Sequence, residues 1–92
     1  MTHLERMIKA IQMSGESIRL LAKKYEIKVE AAEESEEVIL TPGHDFRSQD
    51  RARYLTGLIE DTNEVIQEIG ETEGLEKMRE VRAMFIEEMT KE

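Results

Sequence analysis

Apolar side chains recur at helical spacing along the first part of the chain, at Leu4, Met7, Ile8, Ile11, Ile18, Leu21, Ala22 and Tyr25. Lys9, Glu16, Arg19, Lys23 and Lys24 fall largely off that stripe, so the segment predicts an amphipathic helix. Thr2 and Glu5 stand at capping-box spacing at its start, where a hydroxyl can take a first-turn N–H that has no partner inside the helix. Gly15 lies on the apolar stripe, where glycine costs a helix interior about 1 kcal/mol relative to alanine. The stripe keeps its phase across Gly15. That favours one continuous helix, with the glycine admitting a neighbouring backbone, over two short helices meeting there.

The period then shortens to two. Tyr25, Ile27, Val29 and Ala31 alternate with Glu26, Lys28 and Glu30, and Glu36–Thr41 ends at the turn signal Pro42-Gly43. These segments predict a β-hairpin with strands at 25–31 and 36–41. Two strands alone are marginal and need a helix against one face. Helical spacing returns at Leu55, Leu58, Ile59, Thr62, Val65, Ile66 and Ile69, with Gly70 as the expected stop and 71–74 as a short turn. Leu75, Met78, Val81, Phe85 and Met89 form the last stripe. The expected fold is α+β and mostly helical, in the order α–β–β–α–α: an N-terminal helix, a small β-hairpin and a C-terminal antiparallel αα-hairpin. Residues 1–92 are expected to form a single small domain.

Composition narrows the function classes. The chain has 92 residues, 13 Lys+Arg against 21 Asp+Glu, and a net charge of −8. An acidic surface is the wrong sign for phosphate backbones and for anionic lipid, so nucleic acid and membrane are not expected partners. The absence of cysteine removes disulfides and thiolate chemistry, leaving His3 and His44 for imidazole chemistry. No apolar run approaches the roughly 20 residues of a membrane span, and no secretory leader is legible, so a cytoplasmic location is expected. No cofactor and no metal are expected.

Charge is unevenly placed. Residues 1–29 carry net +3, residues 30–44 net −5 and residues 45–92 net −6. After Pro42-Gly43, where Asp45 or Ser48 can cap the next helix, stand His44, Arg47 and Arg51. Cations at a helix N-terminus oppose the macrodipole, so these three residues form a candidate anion-binding group. The competing internal partner is the acidic run Glu33, Glu34, Glu36 and Glu37.

Three resemblances bear on function. Ser17–Ile27 resembles the first helix and turn of helix-turn-helix DNA-binding proteins, which would make the chain a DNA-binding regulator. The following segment would then be the recognition helix, yet 28–37 holds five glutamates, which oppose phosphate. The adjacent His44-Asp45 is similar to the pair of metal phosphohydrolases, although only His3 could supply a second imidazole. Glu30-x-x-Glu33, Glu33-x-x-Glu36 and Glu34-x-x-Glu37 resemble half of the four-carboxylate magnesium site of the all-α nucleotide pyrophosphohydrolases. The matching Glu-x-x-Asp is missing, since Leu58 precedes Asp61 and Arg47 precedes Asp50 at that spacing.

The last helix carries more apolar positions than one hairpin partner needs. Val81, Met84, Phe85, Ile86 and Met89 are therefore the expected partner-binding residues. Together these features predict a non-enzymatic, acidic protein-interaction module that binds a protein partner and also itself, as a homodimer or larger homo-oligomer.

Overall fold

The computed structural model describes residues 1–32 and 37–92. The elements are α1 (His3–Lys24), β1 (Lys28–Ala31), β2 (Val38–Thr41), α2 (Phe46–Glu73) and α3 (Leu75–Thr90). Helix accounts for 75% of the described residues, and the order α–β–β–α–α agrees with the sequence pattern. The three helices pack against one another, with β1 on α1 and α3 and β2 on α2. At about 1.5 Å per residue, the 28 residues of α2 account for the 41 Å long axis of the molecule. The strands are antiparallel, pairing Lys28 with Thr41 and Ala31 with Val38.

The start of α1 follows from its cap. The Glu5 N–H donates to Thr2 Oγ1 at 3.1 Å, and the Thr2 hydroxyl donates to the Glu5 carboxylate at 3.2 Å. The helix is continuous through Gly15. That residue is buried beneath α3: a Cβ placed there would lie 2.8 Å from Glu88 Cβ and 3.3 Å from both Cδ1 and the carbonyl O of Phe85. The missing side chain is thus where α3 seats on α1.

The strand expected at 25–31 begins three residues later. Tyr25 is the C-cap of α1, and Glu26 takes the left-handed conformation at φ 57°. The Glu26 N–H donates to the Lys23 carbonyl at 3.3 Å, and the Ile27 N–H to the Ala22 carbonyl at 2.8 Å. These two bonds make a Schellman motif, completed by the buried contact partners Ile27 and Ala22. The alternation at Tyr25 and Ile27 therefore comes from a helix end that tucks Ile27 inward, not from a strand. In the second strand, Val38–Thr41 pairs as expected. Residue 36 of that expected strand, and residues 33–35 of the connection before it, lie outside the described residues.

Gly70 does not stop the second helix. α2 continues to Glu73, and Gly74 alone joins it to α3. A Cβ on Gly70 would lie 2.7 Å from Met78 Sδ and 3.2 Å from Met78 Cβ, so this glycine lets α3 approach rather than ending the helix. Gly74 makes the corner at φ 102° and ψ 160°, a region that is essentially glycine-only. Leu75 then sits at the corner, exposed, and leaves the stripe assigned to it by spacing.

Ile11, Ile18, Leu55, Ile66, Ile69, Phe85 and Met89 are the large fully buried side chains of the core. A polar contact crosses it. Ser14 Oγ and Thr62 Oγ1 are 2.8 Å apart, and Thr62 Oγ1 also donates to the Leu58 carbonyl at 2.8 Å. A hydroxyl has one hydrogen, so Ser14 is the donor to Thr62. The pair sets how α1 lies along α2.

Two outcomes follow for stability. Gly15→Ala should destabilise by about 1–3 kcal/mol through overpacking, despite its helix-propensity gain of about 1 kcal/mol. Urea unfolding measures this, and a variant as stable as the parent would refute the close seating of α3. Glu26→Gly should stabilise by about 1 kcal/mol, because glycine adopts the left-handed cap without the Cβ penalty. A raised melting temperature is the expected readout; a fall would contradict the assigned helix end.

Candidate functional site

The loop before α2 brings together some of the residues that sequence grouped there. Asp45 is the N-cap, accepting the Arg47 N–H at 3.1 Å. Ser48 is buried, and its Oγ accepts the Gly43 N–H at 2.9 Å, tying the Pro42-Gly43 turn to the first turn of the helix. His44 and Arg47 are exposed and share with Lys24, Tyr25, Glu26 and Asp45 a hollow of about 330 Å³. Arg51 stands outside it, its guanidinium 5.1 Å from the centre of the Tyr25 ring, with the Lys24 ammonium 5.6 Å from the same ring.

The charges in this hollow nearly cancel. Lys24 and Arg47 face Glu26 and Asp45, and the helix N-terminus already holds the carboxylate of Asp45. Of the acidic run considered as an internal partner, Glu37 lines a different cleft, and 33, 34 and 36 lie outside the described residues.

The five-residue face on α3 divides. Val81, Phe85 and Met89 are buried in the chain's own core, while Met84 and Ile86 are half-buried against it. The apolar excess counted along α3 arises because that helix packs on α1, α2 and β1 rather than on one hairpin partner. Even so, part of this face remains reachable. A cleft of about 500 Å³ opens between β2, α2 and α3. Its buried floor is Ile59, Phe85 and Met89, and Val38, Leu40 and Ile86 form half-buried walls. Glu37, Thr56, Glu60 and Asn63 stand exposed around it, with Arg82 also lining it. This volume falls in the usual range for ligand-sized clefts, roughly 300–1,000 Å³.

Sequence spacing found Phe85, Ile86 and Met89 but missed Val38, Leu40 and Ile59 as members of the same surface. The available signal was the alternation at Val38 and Leu40, which puts both on one face of a strand.

The other candidate chemistries fare as follows. Ser17–Lys24 is helical, but Lys28–Ala31 is a strand where a helix-turn-helix reader would need its second helix. Glu60, Glu64 and Glu68 are exposed along α2. Among the described residues, no group of three or more His, Asp or Glu side chains is placed to hold a metal ion. Among the described residues, no helix is long and apolar enough to cross a membrane. Compared with known proteins, the chain matches no family model, no curated protein and no solved structure.

Proposed function

We propose that this chain is a protein-interaction module whose cleft between β2, α2 and α3 takes an apolar anchor side chain from a partner segment. The supporting observation is the composition of that cleft: six apolar side chains from three elements, with the carboxylates of Glu37 and Glu60 beside the opening. Apolar anchors in desolvated pockets dominate most protein interfaces. A net charge of −8 favours approach by a basic partner. The partner chemistry is then an apolar residue flanked by Lys or Arg.

Selection from a random peptide library against the whole chain tests this. The expected binders carry an apolar anchor beside basic residues. Their affinity should fall at least tenfold, about 1.4 kcal/mol, in Ile86→Glu. Glu60→Lys, an exposed change that leaves the core intact, should also weaken them. No enrichment, or binders indifferent to both changes, would end the proposal.

The self-association expected from sequence is proposed on a separate basis. Among the described residues the hairpin is a two-stranded sheet, so each strand keeps one edge without a neighbouring strand. Light scattering at high micromolar concentration should give at least twice the 10.7 kDa chain mass. A mass of one chain would exclude the assembly.

A further inference from the structure

A second cleft, of about 550 Å³, lies between the last turns of α1, the start of β1 and the end of α3. Leu20, Ala22, Ile27, Val29 and Met89 supply its apolar lining. Arg19, Lys23, Lys28 and Lys91 supply four cations, against Glu92 as the one lining carboxylate. In a chain of net charge −8, that local excess runs against the whole molecule.

Among the described residues, Lys28 and Lys91 are paired, and Arg19 and Lys23 have no ion-pair partner. Lys28 Nζ lies 3.6 Å from Glu30, and Lys91 Nζ lies 2.7 Å from Glu88. Lys23 sits in the last turn of α1, where a cation complements the helix dipole. Lys91 follows α3 and serves the same end of that helix. The dipole does not account for Arg19, which stands more than a turn from the end of α1. Its Nε is buried and, among the described residues, has no hydrogen-bond partner. A buried donor without an acceptor is costly, more so on a charged group. The exposed Leu20 beside it adds an apolar surface facing solvent.

We propose that this cleft binds an amphipathic anion: a carboxylate or phosphate head carried on a short apolar chain. The head oxygens accept from the Arg19 guanidinium and are held by Lys23. The chain lies on Leu20, Ile27, Val29 and Met89. The shared requirement is an anionic acceptor joined to apolar surface. A bare anion lacks the apolar contact, and a neutral chain lacks the acceptor.

The test is a ¹⁵N–¹H NMR titration of the full chain with sodium octanoate, kept below its micelle concentration. Octyl phosphate, sodium acetate and octanol run beside it. Octanoate or octyl phosphate should give saturable shifts at Ala22, Ile27, Val29 and Thr90 and at the Arg19 Nε signal. Whichever binds more tightly identifies the head group. Arg19→Met keeps the aliphatic bulk of the site, and it should weaken binding at least tenfold. Lys23→Gln, at an exposed position, should weaken it by a smaller factor. The proposal is overturned by any of three results: no saturable shift from either anion, octanol or acetate matching the octyl anions, or Arg19→Met binding as the parent does.

Discussion

The architecture depends on one close approach, that of α3 to α1 at Gly15. With Phe85 at 3.3 Å and Glu88 Cβ at 2.8 Å from where a side chain would begin, the two helices meet almost backbone to backbone. Phe85 is thereby sunk into the core, and α3 reaches α1 and α2 at once. Gly70 plays the matching part between α2 and α3, under Met78. Two absent side chains thus set the spacing of all three helices. Dispersion favours such contacts only when no void is left, and here Phe85 and Met78 fill the space that the glycines vacate.

The hairpin is positioned by a less favourable device. Glu26 occupies a left-handed cap that usually selects glycine. What offsets that cost is the burial of Ile27 over Ala22 and the two Schellman hydrogen bonds. The turn carries β1 back along α1 and α3, so the sheet is held by helices rather than by its own four ladder pairs. Both clefts are by-products of that placement. β2 forms one wall of the first, and β1 forms one wall of the second. Met89 at the end of α3 lines both.

Much of this was legible in sequence, and the failures have physical causes. Apolar periodicity located every helix, and the in-phase stripe foretold that Gly15 would admit another backbone. Boundaries failed where one residue type serves two purposes. Gly70 reads as a stop but is used for proximity, because periodicity does not register a neighbour's approach. Tyr25 and Ile27 read as strand because a Schellman end places alternate residues inward for two steps only. For the sites, the stripe on α3 identified Phe85, Ile86 and Met89 without revealing that Phe85 and Met89 form a floor. How much of an apolar face stays accessible depends on how many elements cover it, and that is a property of the assembled fold. The Ser14–Thr62 bridge was invisible for a similar reason: the two residues are 48 positions apart and neither breaks its local pattern.

The corner at Gly74 has a consequence for how the chain finds this structure. With one residue between α2 and α3, the entropy of closing that pair is close to the minimum a connection can carry. Every contact of α1 with α3 must instead bridge more than half the chain. The topology therefore separates into a local step and a distant one. Closing α2 on α3 costs little loop entropy, whereas seating Phe85 on Gly15 joins residues 70 positions apart. The contact that seats the finished fold is thus one of the long-range contacts whose sequence separation slows folding.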